Sequence, residues 1–145
     1  VADADALVMT AAVADFRPEA TSESKMKKDP STEDAPTIRL VRNPDILAEV
    51  AHGDQRPPLV VGFAAETGSA EKTPLELGRE KMQRKGADFL AVNTVGVNLG
   101  FGTDENTITL LSALTDEEPV LIGSKKDVSV RLLEYVSGFF GPDCS

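Results

Sequence analysis

The chain has 145 residues and a net charge of −9, from 24 acidic against 15 basic side chains. This length suits one domain with a single hydrophobic core, and 41% apolar residues exclude a disordered chain. An acidic domain is not typical of duplex-binding proteins, so we expect no nucleic-acid partner. No apolar run approaches the roughly 18 residues of a membrane span, so we expect no membrane association. The one cysteine, Cys144, cannot form an intramolecular disulfide, which favours a cytoplasmic location.

The first third of the chain predicts a strand, a long loop, a second strand and the start of a helix. Residues 6–14 are apolar and indicate a buried strand that runs into a loop of small residues. Residues 17–36 are rich in proline, serine and threonine, and predict a mobile flap. A strand over 37–42 follows. Because an apolar strand comes so soon after a first residue that is not methionine, we expect the N-terminal part of this domain to be absent.

Asn43-Pro44-Asp45 has the composition of a helix start, with Asn43 as the capping residue and Pro44 in the first helical position. The next apolar residues, Ile46, Leu47 and Val50, are spaced so that they predict one buried helix face. The free N–H groups at this helix start could also bind an anion.

The remainder of the chain predicts alternating strands and helices. The six residues Leu59–Ala64 are apolar throughout, as in a central parallel strand. Thr73-Pro74-Leu75-Glu76 is a capping box, and Gly86 is placed to end the helix that it opens. The other predicted elements are a helix over 74–85, strands over 88–92, 107–111 and 119–122, and a helix between Ser124 and Gly138.

This order of elements predicts an α/β fold. We expect a Rossmann-like, three-layer arrangement with an open, mostly parallel sheet that ends in a β-hairpin and a helix. The hairpin is formed by the two strands between 107 and 122, and residues 139–145 are expected to be a tail.

Several polar or functional residues follow predicted strands. In open parallel sheets, ligands bind beyond the carboxyl ends of the strands, so we expect a cleft there. Its candidate residues are Met9, Thr10, Ala11, Asp15, Asn43, Pro44, Asp45, the segment Phe63-Ala64-Ala65-Glu66-Thr67 and Asn93. The purely structural alternatives are that Asn43-Pro44-Asp45 is only a helix cap and that Phe63 is an ordinary core residue.

Seven of the 15 basic residues occupy two short segments. Three lysines lie between Lys25 and Lys28 on the predicted flap, and four basic residues lie between Arg79 and Lys85 on a predicted helix. Lys81 and Lys85 are four residues apart, which puts them on one helix face. These cations could hold a polyphosphate. The alternative is that both segments are solvated surface.

Other chemistries find little support in the sequence. Neither the dinucleotide-binding glycine pattern nor the phosphate-loop pattern is present. With His52 as the one histidine and one cysteine in the tail, a histidine–cysteine metal cage is excluded, and a Ser-His-Asp triad has little to draw on. We expect His52 to be a surface residue and Tyr135 to be a packing residue.

The ordered motifs resemble a known family. They are Ala11–Arg17, Lys25–Lys28, Asn43–Leu47 and Val61–Thr67, followed by Lys81, Lys85, Asn93, Gly100-Phe101 and Asn106. Together, over roughly residues 6–137, they resemble the C-terminal ligase domain of bacterial phosphopantothenate–cysteine ligase, which is often fused behind a flavin-dependent decarboxylase in coenzyme A synthesis. Residues 1–138 would then be a partial CTP-binding ligase domain.

The resemblance implies a two-step ligation. The carboxylate of 4'-phosphopantothenate attacks the α-phosphate of CTP to give an acyl-cytidylate and pyrophosphate, and the amine of L-cysteine then displaces CMP. It also implies a requirement for Mg²⁺, a homodimer, and FMN bound only by the fused decarboxylase domain. Positive charge is what such a phosphoryl-transfer step requires, and a closing flap would protect the acyl-cytidylate from water.

The resemblance also implies residue roles. Lys25 opens the family's Lys-x-Lys-Lys flap motif as a catalytic and nucleotide-contacting residue, and Ala12 lines the reaction centre. Asp15 is either a Mg²⁺ ligand or a nucleotide contact. The implied nucleotide contacts are Met9, Thr10, Ala11, Asp15, Pro44, Asp45, Ile46, Leu47, Phe63, Lys81 and Lys85.

Two function classes remain as alternatives. A fragment of a dinucleotide-binding oxidoreductase could use the same kind of sheet, and it would respond to NAD rather than to CTP. A non-catalytic interaction domain would respond to neither and would leave the two lysine-rich segments unexplained.

Overall fold

The computed structural model describes residues 3–10, 13–21, 35, 37–94 and 105–140. The chain forms two compact units, one of Val1–Ala11 with Ile46–Ser145 and the other of Ala12–Asp45. The elements of the described residues are β1 Ala6–Met9, β2 Phe16–Pro18, β3 Leu40–Arg42, α1 Ile46–His52, β4 Leu59–Glu66, α2 Pro74–Lys85, β5 Phe89–Thr94, β6 Glu105–Ser112, β7 Val120–Ser124 and α3 Lys125–Ser137.

The first unit is built on a five-stranded sheet with the strand order β1-β4-β5-β6-β7. The pairs β1·β4 and β4·β5 are parallel, whereas β6 is antiparallel to both β5 and β7. Four of the five strands therefore point the same way, and β6 and β7 form the terminal hairpin. The predicted α/β class with a mostly parallel sheet is confirmed.

Two apolar clusters cover the two faces of this sheet. Alternate residues of β4 divide between them: Val61 packs with α3 on one face, while Val60 and Ala64 pack with α1 and α2 on the other. Val60 and Val61 are both fully buried, as expected for a central strand covered on each side. The result is the predicted three-layer arrangement.

Helix α2 forms as the sequence predicts. The Thr73 hydroxyl accepts a hydrogen bond from the Glu76 N–H at 3.3 Å, and the Glu76 carboxylate accepts one from the Thr73 N–H at 2.8 Å. The Thr73 hydroxyl also donates to this carboxylate at 2.7 Å, and the hydrogen bonds from the Thr73 backbone and side chain lower the pKa of Glu76. Gly86 ends the helix in the left-handed region with φ 71°, where glycine avoids a steric penalty.

Helix α3 closes the other face. Ser124 caps it through the Asp127 N–H, and Val128, Leu132 and Val136 are buried along one side. The chain stays packed beyond the predicted end of the domain. Phe139 of the expected tail makes edge contacts with the Phe89 ring at 5.0 Å.

Tyr135 is a packing residue, as predicted. Its ring lies edge-on to Phe89, and its hydroxyl donates to Glu117 at 3.1 Å. The pKa of Tyr135 is raised, chiefly because the ring hydroxyl is desolvated and secondly because of this hydrogen bond to Glu117. His52 is exposed, as expected, with Nε2 3.3 Å from the Arg84 carbonyl oxygen.

At the amino end of the sheet, Arg56 and Asp88 form a half-buried ion pair. One guanidinium nitrogen of Arg56 donates to both carboxylate oxygens of Asp88 at 2.7 Å. Asp88 also accepts the Val60 N–H at 2.8 Å. The carboxylate therefore joins the segment before β4, the start of β4 itself and the start of β5.

The second unit corrects two expectations about the chain before α1. Residues 16–18 form β2, although Arg17 and Pro18 fall inside the predicted flap over 17–36. The predicted strand over 37–42 is shortened to β3, which pairs antiparallel with β2 in a separate two-stranded sheet. Most of the predicted flap, including Lys25, lies outside the described residues.

The predicted helix start at Asn43 is also wrong. Helix α1 begins at Ile46, and the Asn43 amide is used within the second unit instead. It donates to the Ala14 carbonyl at 2.6 Å and accepts from Arg17 at 3.0 Å. Leu47 is buried as expected, but Ile46 remains 45% exposed.

Candidate functional site

A cavity of about 440 Å³ opens beside the carboxyl ends of β1 and β4, on the face covered by α3. Its apolar wall is formed by Val8, Phe63, Ile108, Val128, Leu132 and Leu133. Strand alternation explains this lining, because Val8 and Phe63 share the face of the sheet on which α3 packs. The cavity is a pocket of ligand size in the first unit.

Four polar side chains complete the wall of this cavity: Thr10, Asn106, Lys125 and Ser129. Thr10 directly follows β1, Asn106 lies near the start of β6, and the other two lie in the first turns of α3. The nitrogen Nδ2 of Asn106 is buried and has no hydrogen-bond partner within the part of the chain that the structure describes. A buried amide N–H without an acceptor is unusual in native proteins.

Lys81 lies on the opposite face of the same sheet. Its ammonium donates to the Glu66 carboxylate at 2.5 Å, and the two side chains are 33% and 15% exposed. Glu66 is the last residue of β4, so this ion pair also marks the carboxyl end of the sheet. Lys85, one turn later, is half-buried on the same helix.

Arg79 does not join these lysines. Its guanidinium binds Glu118 through three hydrogen bonds of 2.6–3.0 Å. The basic segment from Arg79 to Lys85 is therefore divided, because the side chain of Arg79 is already held by a carboxylate from the β6–β7 connection.

The structure brings together two of the predicted site residues in the cavity, Thr10 and Phe63. Met9 instead packs on the α2 side of the sheet, as does Leu47, which is a core residue. Ile46 begins α1 and is exposed. Asn93 is half-buried in β5.

Other predicted residues belong to the second unit or lie outside the described residues. Asp15, Pro44 and Asp45 are exposed in the second unit. Ala11, Ala12 and Lys25 lie outside the described residues.

Among the residues that the structure describes, no group of three or more His, Cys, Asp or Glu side chains is placed to hold a metal ion. Asp15 is tied into its unit by its backbone, whose carbonyl accepts the Asn43 N–H at 2.9 Å.

Glu66 is among the cleft residues that the sequence predicts, but three others at this end of the sheet are missed. Asn106 is part of the resemblance without a role, and Lys125 and Ser129 are assigned to a helix start and interior. Their proximity to the end of β1 arises from packing between elements distant in the chain, and no local pattern indicates it.

Comparison with known proteins identifies the family. The model of the DNA/pantothenate metabolism flavoprotein C-terminal domain matches residues 1–139. The chain belongs to this family. Relatives of this chain include the coenzyme A biosynthesis bifunctional protein CoaBC of Mycolicibacterium smegmatis. It is 44% identical to this chain over 94% of the chain and 34% of the relative. The CoaBC protein of Mycobacterium tuberculosis is 45% identical over 94% of this chain and 33% of the relative.

Solved structures agree with this family assignment. A crystal structure of the C-terminal domain of CoaBC has a TM-score of 0.62 at 25% identity, covering 94% of this chain and 55% of that one. The DNA/pantothenate metabolism flavoprotein from Streptococcus pneumoniae has a TM-score of 0.69 at 17% identity, over 95% of this chain and 65% of that one, and shares the fold.

The chain spans about a third of the length of the curated relatives it matches. In the described part, no helix has the length and apolar character needed to cross a bilayer.

Proposed function

We propose that this chain is the CTP-binding ligase domain of a phosphopantothenate–cysteine ligase in coenzyme A biosynthesis. In the proposed reaction, the carboxylate of 4'-phosphopantothenate forms a bond to the α-phosphorus of CTP as pyrophosphate leaves. The amine of L-cysteine then attacks the acyl carbon, CMP leaves, and the amine loses a proton. The observation that carries the proposal is the 44% identity with the M. smegmatis CoaBC protein over 94% of the chain.

The geometry of the first unit supports a nucleotide site at the carboxyl end of the sheet. Thr10 and Phe63 line an open cavity there, and Lys81 on α2 reaches the same end of the sheet from the opposite face. An ammonium has three N–H donors, so Lys81 can bind a phosphate oxygen while it remains close to Glu66. Charge that develops on the phosphoryl oxygens and on pyrophosphate would be stabilised by such cations.

The remaining residue roles are part of the same proposal. Lys25 acts on the acyl-cytidylate from the flap, beside Ala12 at the reaction centre. The proposed CTP contacts are Met9, Thr10, Ala11, Asp15, Lys25, Pro44, Asp45, Ile46, Leu47, Phe63, Lys81 and Lys85. Mg²⁺ would be required with CTP. A fused decarboxylase would carry the FMN, and the reaction would take place in the cytoplasm.

A homodimer is also proposed, and the second unit offers support for it. The apolar side chains of Phe16 and Leu40 are 52% and 54% exposed on the two-stranded sheet, and that of Ile38 just before β3 is 55% exposed. Two strands alone are marginal in water, so apolar exposure on both favours a partner. Sedimentation velocity of the wild-type protein against a Phe16→Lys variant tests this, with a monomeric variant expected.

The decisive experiment is ligand-dependent stability at a defined Mg²⁺ concentration. At about 100 times its dissociation constant, CTP should stabilise the protein by about 2.7 kcal/mol, a readily measured rise in Tm. NAD should give no rise, which separates the ligase from an oxidoreductase. Pyrophosphate release that depends on 4'-phosphopantothenate tests the first chemical step. The absence of any shift with millimolar CTP, in a folded sample, would contradict the proposal.

A further inference from the structure

One half-buried carboxylate at the carboxyl end of the sheet is not among the nucleotide contacts proposed above. Glu66 is the last residue of β4, and 15% of its side chain is exposed. Its oxygen Oε1 accepts a hydrogen bond from Lys81 Nζ at 2.5 Å. A carboxylate withdrawn from water destabilises the fold unless a partner compensates for the lost hydration. Here the partner is itself a residue proposed to bind the nucleotide.

The fold brings Glu66 and Lys81 together from positions 15 residues apart in the chain. Alternate residues of β4 face α2, because Val60 and Ala64 pack in the apolar cluster on that side of the sheet. Glu66 continues this alternation and therefore projects toward α2 as well. On the helix, Lys81 directly precedes the buried Met82. The ion pair thus joins the end of a central strand to the helix that packs on it.

The backbones that carry the two side chains are held firmly. Glu66 is paired in parallel register with Thr94 of β5. Helix α2 lies so close to the sheet that a Cβ on Gly78 would come within 2.8 Å of Val92 Cγ2. In a closely packed interior, glycine at this position keeps the helix at its short distance from the sheet. The flexible four-carbon stem of Lys81 is then the part of the pair that can still move.

A lysine stem must lose rotamer freedom before its ammonium can bind a ligand at a fixed place. Immobilising one such side chain during binding lowers the affinity by roughly three- to tenfold. In this structure the Glu66 carboxylate already holds the ammonium of Lys81 in place. An ammonium has three N–H donors, so phosphate oxygens can bind to the others without displacing the carboxylate.

We propose that Glu66 is a positioning residue for nucleotide binding, which holds the Lys81 ammonium at the carboxyl end of the sheet before the triphosphate arrives. Glu66 does not touch the nucleotide and acts only through Lys81. Affinity is gained because the lysine stem is already ordered in the free protein. The inference rests on the proposed ligase function, in which Lys81 binds CTP, and adds the residue that sets the position of this cation.

The test is a double-mutant cycle in the protein at its full natural length. Glu66→Gln keeps the size of the side chain but removes its charge, and it is measured alone and combined with Lys81→Ala. Glu118→Gln is the matched control, because Glu118 also pairs with a basic residue of α2, Arg79, that is not a proposed nucleotide contact. Calorimetry gives the dissociation constant of MgCTP for each protein, and Tm is measured without ligand.

We expect Glu66→Gln to raise the dissociation constant of MgCTP about three- to tenfold, because a neutral hydrogen bond holds the ammonium less firmly than a charge-assisted one. In the Lys81→Ala background the same substitution should cause no further loss of affinity, since the residue that Glu66 positions is gone. Glu66→Asp keeps the charge and should stay within about twofold of the wild type, because the flexible lysine stem can follow the shorter side chain. Glu118→Gln should change the constant less than twofold.

Three results would overturn the inference. Tighter MgCTP binding by Glu66→Gln would show that the carboxylate competes with the phosphates for Lys81. Losses of affinity that add in the double variant would show that Glu66 acts independently of Lys81. A lower Tm with unchanged MgCTP affinity would make Glu66 a structural residue.

If Glu66→Gln does not fold, Glu66→Thr takes its place in the cycle with the same expectations, because threonine is uncharged and suits a strand. Failure of the proposed function gives a different result. A folded wild type that does not bind MgCTP overturns the function itself. A wild type that binds MgCTP and is not weakened by Glu66→Gln overturns this inference alone.

Discussion

Two half-buried ion pairs lie at opposite ends of the central sheet, and they differ in how many hydrogen bonds the paired side chains make. At the amino end, Asp88 accepts from Arg56 with both oxygens and from the Val60 N–H. At the carboxyl end, Lys81 donates to Glu66 beside the ends of the parallel strands. Their carboxylates are equally buried, with 14% and 15% of the side chain exposed.

The difference follows from what each carboxylate joins. The Asp88 carboxylate accepts hydrogen bonds from two fixed donors, a backbone N–H and one nitrogen of a planar guanidinium, and both of its oxygens are used. The ammonium of Lys81 is carried on a flexible stem and keeps two further N–H donors. If Lys81 binds the nucleotide as proposed, burial alone does not distinguish a stabilising ion pair from a ligand-binding one, whereas the number of fixed hydrogen-bond partners does.

The largest effect is expected from Lys25, which belongs to the predicted flap and lies outside the described residues. Lys25→Gln should lower kcat by about 10²–10³-fold, because one electrostatic contact to the transition state is lost. CTP affinity and pyrophosphate release should persist while product formation with cysteine is lost. Both half-reactions are measured on the full-length ligase. Near-normal product turnover in this variant would contradict the catalytic role of Lys25 and would show that the lysine-rich segment is ordinary charged surface.

Asp88→Ala should destabilise the protein by about 3 kcal/mol. The substitution leaves the guanidinium of Arg56 half-buried without its partner and removes the acceptor of the Val60 N–H. Urea unfolding measures the free energy of unfolding. CTP affinity of the remaining folded protein should be unchanged. A stability loss below about 1 kcal/mol would show that the amino-end network contributes no more than a surface pair.

Lys81→Ala should give the opposite pattern. Loss of a charged hydrogen bond to the nucleotide should weaken CTP binding by roughly 1.5–3 kcal/mol, about 10- to 150-fold. Alanine is a favourable helix residue, but the half-buried Glu66 carboxylate loses its ion-pair partner, so the free energy of unfolding should fall by about 1–2 kcal/mol, less than in Asp88→Ala.

Arg79→Ala is the matched control for Lys81→Ala. Arg79 lies two residues earlier on α2, but its guanidinium is bound to Glu118. It should change CTP affinity less than twofold. Lys85→Ala should behave like Lys81→Ala. A change below twofold in either lysine variant would assign that lysine to the solvated helix face.

Thr73→Ala should have a smaller effect, on stability alone. It removes the hydroxyl that caps α2 at the Glu76 N–H. The free energy of unfolding should fall by about 1 kcal/mol, as at other helix N-caps, with CTP affinity unchanged. Thermal melts with and without CTP measure both. An equal loss of stability and affinity would mean that the start of α2 also belongs to the site.

The smallest effect concerns the pH dependence of the same cap. The hydrogen bonds from Thr73 hold the pKa of Glu76 below its ordinary value of 4.5. The Glu76 carboxylate therefore stabilises the folded state above the pKa of Glu76 in the unfolded chain. This contribution is lost as pH falls through the pKa of Glu76 in the folded protein. The Tm difference between wild type and Glu76→Gln should be largest near neutral pH and shrink below about pH 4. A difference that is constant with pH would show that the charge of Glu76 does not stabilise the cap.

Helix α2 shows how far sequence reasoning reaches in this protein. Its cap, its first proline and its closing Gly86 are local signals, and all were confirmed at the predicted residues. The alternative interpretation of Phe63 as an ordinary core residue is only partly right, because its ring packs against the core and also lines the cavity.

The failures share a different origin. Strand β2 was not predicted because its three exposed residues have no pattern of their own and become a strand by pairing with β3. Asn43 was assigned as a cap because its neighbours suit one. Its amide instead bonds Ala14 and Arg17, almost thirty residues earlier in the chain.

The sequence by itself determined the α/β class, the order of the central elements and the family, because helix caps, apolar strands and ordered motifs are local features. Only the tertiary structure decided which polar groups meet at the carboxyl end of the sheet. Asn106 lines the same cavity as Thr10 because β6 belongs to the same sheet as β1 and β4, and α3 packs on that face of the sheet. Lys81 and Arg79, two residues apart, are separated because their side chains reach different carboxylates, Glu66 and Glu118. Such pairings depend on contacts between distant segments, which no local pattern encodes.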